Sequence, residues 1–547
     1  MHVFSKQCRF FGILLLLFLS NCKWTEQQNV KGRFAVDSKD AFVLLFSTNV
    51  RGYIEPCGCT SDPLGGLDRL AFVVREARQA FQDRLLFVDG GNLFFDSTKK
   101  QAEVDLCQDE AKLNILLATY QSLKVAGTLP GPFDESRGAA FYHSFLQKYQ
   151  IPVLNEMPRP GQILDQSGVK IGLIGVSSNI DFSKEAQRLK NEGAQIVVVV
   201  AQAHTSSVRT WFQGVTDVDI VILGQEMSET PMPAELLSEQ GPWLVSAAMQ
   251  GQYLGVVEFR NISLKKTGPW QIDDRLHKNE MRSRLLQNRA QSLKKQIKDA
   301  ALARRSFLEK QLRSIETELI NEKKMPSNQV EIPGPFFKFR AIALHKEITP
   351  LPEVQKKLLA YEKSIPHLVS KCEANTNCQP VKPGEPTYVG VQTCKNCHLA
   401  AVNVWENAVV EMAGKNEKGL PIKQRSGHSL AWSTLEKKHK ATDRNCIGCH
   451  SIGFMEPGGY CKVSEIDFRK NVQCESCHGP GSLHALSGDK KWIKREVPES
   501  TCRTCHHVPH IETTASFVYE DKLKLILGKG HGEALLMRLN HGSAKSQ

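Results

Sequence analysis

The chain has 547 residues, of which 41% are hydrophobic and 23% charged, and it carries a formal net charge of +12 at pH 7. This length suits two or three domains, and the ordinary apolar content is sufficient for a packed core in at least one of them. The positive charge suggests an acidic partner or a membrane surface. The sequence contains no nucleic-acid-binding motif, so nucleic acid is excluded as an expected partner.

Residues 1–21 have the features of a signal peptide. Lys6 and Arg9 form its positive flank, and the apolar run at 10–19 is too short to cross a bilayer as a helix. The run ends in Leu-Ser-Asn-Cys, which resembles a bacterial lipobox with Cys22 as the lipidated first residue of the mature chain. Ordinary cleavage nearby, with Cys22 unmodified, is the alternative. Residues 22–40 predict a polar tether, and no later stretch is apolar enough for a transmembrane helix.

Buried-strand patterns alternate with amphipathic helical patterns from residue 41 onward. Continuous apolar strands that alternate with helices predict an α/β domain with buried sheets. Strands are predicted at 41–47, 85–89, 170–176, 196–201 and 219–224, and helices at 67–81 and 101–125.

This region, over residues 41–262, resembles the metallophosphatase domain of UshA-type 5′-nucleotidases. The resemblance rests on Gly-Gly-Leu-Asp-Arg at 65–69 and on the strand that contains Tyr-Leu-Gly-Val-Val at 253–257. Enzymes of that family hold two metal ions, which activate water and stabilise the leaving oxygen.

The ligands of that metal site are mostly absent from this chain. Asn49, Arg51, Asn92 and Gln225 stand where the family has metal ligands, and Leu-Pro-Gly-Pro at 129–132 replaces its Asn-His pair. The two remaining candidate ligands are Asp89 and His204. The resemblance therefore implies a degenerate metallophosphatase-like domain without phosphatase activity.

A Cys-Gly-Cys sequence, Cys57 to Cys59, follows the first predicted strand, where active relatives hold metal. It resembles a Cys-containing loop of UshA-like proteins in which selenocysteine can occupy this position. Such a pair can cycle between dithiol and disulfide or bind a soft metal, which makes Cys57 and Cys59 candidate catalytic residues. A permanent structural disulfide is the alternative.

Composition changes mark the further domain boundaries. Residues 274–325 are rich in Lys, Arg, Glu and Gln with Leu and Ile at helical spacing, which predicts a charged helical insertion of one or two long helices. Residues 326–370 are predicted to complete the α/β domain, with a strand at 336–344 and a helix at 352–365. Residues 371–387 include several prolines and predict a linker to a last domain at 388–547.

This last domain contains four copies of Cys-x-x-Cys-His, the attachment sequence of c-type haem. The two thiols form thioether bonds to the porphyrin, and the following His becomes the proximal ligand of the iron. Two zinc ribbons are the alternative, but zinc does not require a His directly after each second Cys. The motifs predict four covalently bound haem c groups, held by Cys394, Cys397, Cys446, Cys449, Cys474, Cys477, Cys502 and Cys505, with proximal ligands His398, His450, His478 and His506.

Residues 388–531 resemble the cytochrome c-554 family of multihaem cytochromes. The matching segments are Tyr-Val-Gly at 388–390, Ser-Gly-His at 426–428, and the surroundings of the second and third motifs at 449–454 and 472–481. The resemblance implies a mainly α-helical, haem-packed domain in which the second haem, on His450, has an open face. The implied distal ligands are His428, His484 and His531, and further candidates for the missing one are His439, His507, His510 and His541.

Six cysteines remain after the signal peptide, the lipidated residue and the haem motifs are counted: Cys57, Cys59, Cys107, Cys372, Cys378 and Cys461. Because c-type haem is attached outside the cytoplasm, their default state is disulfide. Cys372 and Cys378 are close in sequence and form the simplest predicted pair.

These patterns predict an exported, lipid-anchored tetrahaem cytochrome that transfers electrons. Its location would be the periplasm or the outer membrane or cell surface, and its partners other exported redox proteins or a small-molecule electron donor or acceptor. The alternative is a redox enzyme that acts on a small nitrogen, sulfur or selenium compound at an open haem or at Cys57 and Cys59.

Overall fold

The computed structural model describes most of the chain between residues 33 and 542. The described residues are 33–34, 40–56, 63–97, 103–155, 161–178, 182–225, 228–266, 268–274, 286, 289–290, 293–294, 297, 302–324, 332–374, 378–415, 421–425, 427–463, 468–508, 510–511, 514 and 517–542. The predicted signal peptide, Cys22, Cys57 and Cys59 lie outside these residues. No helix within them is both long enough and apolar enough to cross a membrane.

Two sheets form the α/β part of the chain. The five-stranded sheet has the order β10-β11-β9-β1-β2, and the six-stranded sheet has the order β3-β4-β5-β6-β8-β7. The strands are β1 (Ala41–Ser47), β2 (Leu85–Asp89), β3 (Gly161–Gln166), β4 (Val169–Val176), β5 (Ile196–Ala201), β6 (Ile220–Leu223), β7 (Glu235–Leu236), β8 (Trp243–Val245), β9 (Tyr253–Arg260), β10 (Gln271–Ile272) and β11 (Phe336–Ala343).

The helices alternate with these strands and continue beyond them. They are α1 (Leu67–Phe81), α2 (Glu103–Ser122), α3 (Ala139–Lys148), α4 (Phe182–Asn191), α5 (Thr205–Trp211), α6 (Leu302–Lys324) and α7 (Pro352–Glu373). Every strand predicted from the sequence is observed within one residue at each end, and the predicted helix at 67–81 is confirmed. The sequence pattern does not predict the strand β3, because it is half-exposed and polar and so has no continuous apolar run.

Both faces of the central strands are buried, which explains their unbroken apolar sequences. All six residues of β5, Ile-Val-Val-Val-Val-Ala, are inaccessible to solvent. Phe42 and Leu44 of β1 share one hydrophobic core with Val198 and Ile220 of the other sheet, so the two sheets pack face to face. The alternate residues of β5 pack with the aliphatic and aromatic residues of α4 and α5. This layering matches the predicted α/β domain with buried sheets.

The described residues form two compact units, and each consists of several chain segments. The first comprises the chain up to Ile54, Leu64–Thr98 and Leu116–Val354. The second comprises Glu55–Pro63, Lys99–Ile115 and Gln355–Gln547. The strand β11 pairs with β9 of the first unit, as expected for the segment that completes the α/β domain. The helix α7, however, continues to Glu373, into the segment expected to be a linker, and most of it belongs to the second unit.

The second unit is mainly helical. Its further elements are α8 (Val391–Glu406), α9 (Ala431–Lys437), α10 (Arg444–His450), α11 (Cys474–His478), α12 (Ser482–Ser487), α13 (Glu499–Arg503), α14 (Tyr519–Lys524) and α15 (Glu533–Gly542), with one hairpin of β12 (Val409–Lys415) and β13 (Pro421–Arg425). A small core of Trp432, Leu435, Ile447 and Tyr460 packs α9 against α10. Such short helices bury few side chains, which agrees with a domain whose interior would be filled largely by haem.

The disulfides of the second unit correct the expected pairing. The sulfur of Cys372 is bonded to that of Cys107, and Cys378 is bonded to Cys461. The predicted pair of Cys372 and Cys378 is therefore wrong. Cys372 lies in the last turn of α7 and is buried against α2, whereas Cys378 follows the helix, so closeness in sequence does not bring the two thiols together.

The charged segment expected at 274–325 is helical at the positions that the structure describes between 286 and 324. The helix α6 buries Leu308 and Ile315 in a small cluster with Ala290 and Leu293. The charged side chains that the structure describes on α6 are exposed or half-buried. This packing is consistent with a helical hairpin that has a single apolar seam.

Candidate functional site

Each Cys-x-x-Cys-His motif begins on a helical turn of the second unit. The first lies on α8, the second ends α10, the third forms α11, and the fourth starts in α13. A helical turn places the two cysteines of a motif, three residues apart, on the same face. None of the eight attachment cysteines is in a disulfide bond, and none of them is fully buried. They are therefore available for thioether bonds.

Three of the four motif histidines lie opposite a second histidine. The ring centroids of His398 and His484 are 6.2 Å apart, and the ring planes differ by 20°. The centroids of His428 and His506 are also 6.2 Å apart, and so are those of His478 and His531. The second members of these pairs are His428, His484 and His531, the three predicted distal ligands.

This spacing fits a metal ion between the two rings. Two imidazoles bound to opposite faces of one metal, at a bond length of about 2 Å, have ring centroids about 6 Å apart. Histidines in direct contact stand closer, as His507 and His510 do at 4.9 Å. The three pairs therefore have the separation that two axial ligands of a haem iron require.

Backbone carbonyls orient several of these rings through Nδ1. The Nδ1–H of His450 donates to the carbonyl of Ala431 (2.6 Å), and that of His478 to Lys494 (2.5 Å). In the same way, His484 donates to Asp489 (3.1 Å) and His531 to Ile526 (2.7 Å). Such a bond fixes the tautomer and leaves Nε2 free as a metal ligand. These four carbonyl partners could not have been found from the motif alone.

His450, on α10, differs from the other motif histidines. Within the described part of the chain, it forms no pair with a second histidine ring comparable to the three at 6.2 Å. His439 is exposed, while His507 and His510 contact each other. The side chain of His541 lies outside the described residues. The open face at the second motif therefore stays a prediction.

Burial favours the neutral imidazole at one of these pairs. It lowers the pKa of His428, and it lowers that of His506 to about 4, with a further contribution from the neighbouring His428. A neutral imidazole is the form that coordinates a metal.

Two buried side chains, Glu475 within the third motif and Gln473 directly before it, hold the first and third motifs together. The motifs themselves assign them no role. Glu475 accepts hydrogen bonds from the backbone N–H groups of Val389 (3.0 Å), Gly390 (2.8 Å) and Gly481 (2.7 Å). Gln473 accepts one from the N–H of Val391, at the start of α8 (2.6 Å). These bonds satisfy amide groups at the N-terminus of α8. Both residues are part of the quoted segment 472–481, which is the signal that could have identified them.

In the first unit, the residues at the expected metal position form a closed polar cluster. Asp89 is fully buried and accepts hydrogen bonds from Ser47 Oγ (2.6 Å), Thr128 Oγ1 (2.8 Å) and the N–H of Gly91 (2.9 Å). These three hydrogen bonds tie the carboxylate to neighbouring residues of the fold, so it has a structural role. His204 precedes α5 and is exposed. Among the described residues, no group of three or more His, Cys, Asp or Glu side chains is arranged to hold a metal ion.

The side chain of Arg51 places a positive charge in the same region. The guanidinium of Arg51 is mostly buried and lies 4.2 Å from the ring centroid of Phe133. Burial lowers the pKa of Arg51. An arginine at this position opposes the binding of a metal cation by charge repulsion. The resemblance to metallophosphatases therefore does not extend to their metal site.

Comparisons with known proteins address both halves of the chain. Residues 393–479 match the family model of cytochrome c554 and c-prime. Cytochrome c-554 of Nitrosomonas europaea is 33% identical over 137 residues, which are 22% of this chain and 57% of that protein. The chain thus spans little more than half the length of this relative.

Similar solved structures include a nucleotidase, a phosphoesterase and a thiohydrolase. A 5′-nucleotidase precursor from Thermus thermophilus has a TM-score of 0.38 at 12% identity, with 68% of each chain covered. The calcineurin-like phosphoesterase YfkN from Bacillus subtilis has a TM-score of 0.37 at 14% identity, with 61% of this chain and 99% of that one covered. The sulfate thiohydrolase SoxB of Thermus thermophilus has a TM-score of 0.38 at 12% identity, with 69% and 70% covered.

The N-terminal half of the chain resembles 5′-nucleotidases in sequence pattern, and the C-terminal region resembles the cytochrome c-554 family of c-type cytochromes.

Proposed function

We propose that this chain is an exported, lipid-anchored tetrahaem c-type cytochrome that transfers electrons, fused to a metallophosphatase-like domain without phosphatase activity. The observation that carries the proposal is the pairing of three motif histidines with a second histidine at 6.2 Å. A haem with two axial histidines is suited to outer-sphere electron transfer, because both faces of the iron are occupied.

The roles of the residues follow from the site. Cys394, Cys446, Cys474 and Cys502, each with its partner three residues later, would hold the four haems. His398 with His484, His478 with His531, and His506 with His428 would supply axial ligands to three of them, and His450 the proximal ligand of the second. When bound, each haem supplies a one-electron couple whose potential depends on its ligands and its burial.

The protein's own residues orient the histidine rings that would bind the haem irons. The carbonyl oxygens of Ala431, Lys494, Asp489 and Ile526 fix four of the rings through Nδ1. Hydrogen bonds of this kind also make the ligand nitrogen more basic. Glu475 fixes the start of α8 relative to α11, and so the first motif relative to the third.

Intact mass and spin state test the proposal. The mature protein is expected to carry a mass surplus of four haems, with three low-spin ferric signals and one high-spin signal. A surplus of two haems or fewer would refute the tetrahaem assignment. Four low-spin signals would refute the open second haem and leave the electron-transfer proposal intact.

The absence of a histidine pair at His450 within the described residues supports a second candidate function, a redox enzyme that acts at the second haem. A small nitrogen, sulfur or selenium oxyanion would bind at the open face. An anaerobic redox titration with such oxyanions present would show a shift of the high-spin potential if they bind. If the potential of the high-spin haem is unchanged at every concentration tested, the enzyme candidate is refuted and electron transfer is the remaining proposed function.

The Cys57–Cys59 loop is proposed as a redox-active pair linked to this function. Its support is the Cys-x-Cys sequence and the position of Glu55, two residues before Cys57, whose carboxylate lies 3.0 Å from Lys440 Nζ in the haem-bearing unit. Cys57→Ser and Cys59→Ser are expected to abolish turnover-linked haem oxidation or reduction while all four haems stay attached. Full electron flow in both variants, together with lower stability, would instead indicate a structural disulfide.

Export and partners belong to the same proposal. Because c-type haem is attached outside the cytoplasm, the site would be the periplasm or the outer membrane or cell surface. Partners would be exported redox proteins or a small-molecule electron donor or acceptor. Eight haem propionates would offset much of the formal charge of +12, so this charge alone does not require an acidic partner.

A further inference from the structure

Arg444, the first residue of the helix that ends with the second haem motif, forms ion pairs with carboxylates of two other helices. We infer that Arg444, fixed by Asp105 and Glu373, is the positioning residue of the helix α10, and that its charge sets the reduction potential of the haem on His450. This inference rests on the proposed function. It assigns a role in the cytochrome to Asp105, which lies 339 positions before Arg444, and to Glu373, which also precedes the haem region in sequence.

Arg444 lies in an unfavourable place for a cation. It is the first residue of α10, where the helix dipole repels positive charge. Its side chain is only 1% exposed, so it has also lost the hydration that an arginine normally keeps. A buried charge in such a position is tolerated only when other groups compensate it.

Two carboxylates provide this compensation. Arg444 Nε lies 2.7 Å from Asp105 of α2, and its Nη1 lies 2.9 Å from Glu373 of α7. The guanidinium also donates to the carbonyl of Cys461 (3.2 Å) and lies 4.9 Å from the ring centroid of Phe454. One side chain thus connects α10 to two other helices and to the loop at Cys461.

The start of α10 is fixed by a further set of bonds. Asp443 caps the helix by accepting from the N–H of Asn445 (3.1 Å). Gln108 of α2 donates to Asp443 (2.5 Å) and accepts from the N–H of Arg444 (3.3 Å). The neighbouring Lys440 lies 3.0 Å from Glu55 and 3.4 Å from Glu362. All of these residues belong to the second compact unit.

Covalent bonds hold the same elements in place. Cys107, next to Gln108, is bonded to Cys372, next to Glu373. Cys461, whose carbonyl accepts from Arg444, is bonded to Cys378. The two carboxylates that compensate Arg444 are therefore on segments that the disulfides fix. Because α10 has only seven residues and ends at His450, a displacement of its first residue would move the attachment cysteines and the proximal histidine.

The fourth motif offers a matched comparison. Arg503 also lies in an attachment helix, and its carboxylate partner at 2.8 Å is Glu499, on the same helix. It stacks on Phe517, 4.6 Å from the ring centroid, much as Arg444 stacks on Phe454. Its side chain is 27% exposed. Arg503 therefore has the same chemistry without the connection to α2 and α7.

Reduction potentials of the intact, fully loaded protein test the inference. Arg444→Met keeps the apolar stem and removes the charge, and Asp105→Asn removes one opposing charge at a less buried position. Since positive charge favours the reduced haem, Arg444→Met is expected to lower the potential of the high-spin haem, and Asp105→Asn to raise it. We expect each change to alter its redox equilibrium about tenfold, which is about 59 mV for one electron. Arg503→Met should leave the high-spin haem unchanged.

The signs of the two shifts distinguish the outcomes. A purely structural role would move the high-spin potential in the same direction in both variants, or leave it unmoved, and would overturn the inference. If Arg444→Met fails to mature, Asp105→Asn and Glu373→Gln still test the direction of the shift. A wild-type protein without any high-spin haem would refute the open second haem itself, which is a separate failure.

Discussion

Asn92 donates a hydrogen bond from Nδ2 to Oδ1 of Asn49 over 2.8 Å, and both amides are completely buried. The two residues follow the adjacent parallel strands β1 and β2 at their carboxyl ends, where α/β proteins usually bind ligands. The Oδ1 of Asn92 also accepts from the N–H of Phe133 (3.2 Å). The two amides are neutral and already hydrogen-bonded, so they have no charge to offer a metal ion.

The first prediction is that the full-length protein does not hydrolyse phosphoesters. Asn49 and Asn92 are neutral, Asp89 already accepts three hydrogen bonds, and Arg51 adds a positive charge, so two catalytic metals should not bind. A nucleoside monophosphate incubated with Mn²⁺ or Zn²⁺ should release no phosphate above the background. Hydrolysis that requires the added metal and disappears in Asp89→Ala would contradict this expectation.

Asp89 should also make stability depend on pH. Burial raises its pKa to about 6, from a usual value near 4. The folded state therefore retains a proton that the unfolded state has lost, and stability from this group falls as pH rises from about 4 through about 6. The isosteric Asp89→Asn does not titrate, so between pH 4 and 7 it should gain up to about 3 kcal/mol relative to the wild type.

Apparent unfolding midpoints of the intact protein at several pH values would measure this difference. The variant is a fair comparison because its amide can accept from Thr128 and Gly91 and donate to the Ser47 hydroxyl. A difference between wild type and variant that stays constant from pH 4 to 7 would show that Asp89 remains ionised when buried.

Local patterns in the sequence are sufficient to predict elements that are uniformly apolar. The sequence predicts the observed bounds of the strands β1, β2 and β5, whose residues are all buried. It also predicts the bounds of the helix α1, whose buried residues recur at helical spacing. The haem-attachment motifs are also recognisable, because their chemistry requires adjacent residues.

Contacts between distant residues cannot be read in the same way. Cys107 and Cys372 are 265 positions apart, and nothing near either residue indicates the other. The ion pair of Arg444 with Asp105 could not be predicted either, because the sequence does not distinguish a buried charged residue from one at the surface. The resemblance to a family supplies the predicted distal histidines, but only the fold shows which motif histidine each of them faces.

The disulfide pairing is the third prediction. Peptide mapping without reduction should recover the pairs Cys107–Cys372 and Cys378–Cys461 and no Cys372–Cys378 peptide. Replacing Cys107 and Cys372 together by Ser should cost about 2–5 kcal/mol, because the unfolded chain gains freedom and the ends of α2 and α7 lose their link. Recovery of a Cys372–Cys378 peptide from fully matured protein would contradict the observed geometry.

The fourth prediction concerns the membrane anchor. Cys22→Ser should release the protein from membranes into the soluble fraction, because two or three acyl chains bind a bilayer far more durably than one. Fractionation of cells and mass analysis of the N-terminal peptide would measure it, with Cys8→Ser as the control within the signal peptide. A wild-type protein that is soluble and carries no lipid would show that Cys22 is not modified.

The last prediction separates a distal ligand from a surface histidine. His428 faces His506 at 6.2 Å and is half-buried, whereas His439 is exposed and has a positive φ of 56°. His428→Ala should convert one low-spin haem to high-spin, since it empties one axial position. His428→Met should keep that haem low-spin and raise its potential, because a thioether stabilises the reduced iron.

The control is His439→Asn, because asparagine tolerates the positive φ at this position. This variant should change neither the spectrum nor the reduction potential of any haem. If His428→Ala retains all its low-spin signals while His439→Asn loses one, the two histidines have been assigned the wrong way round.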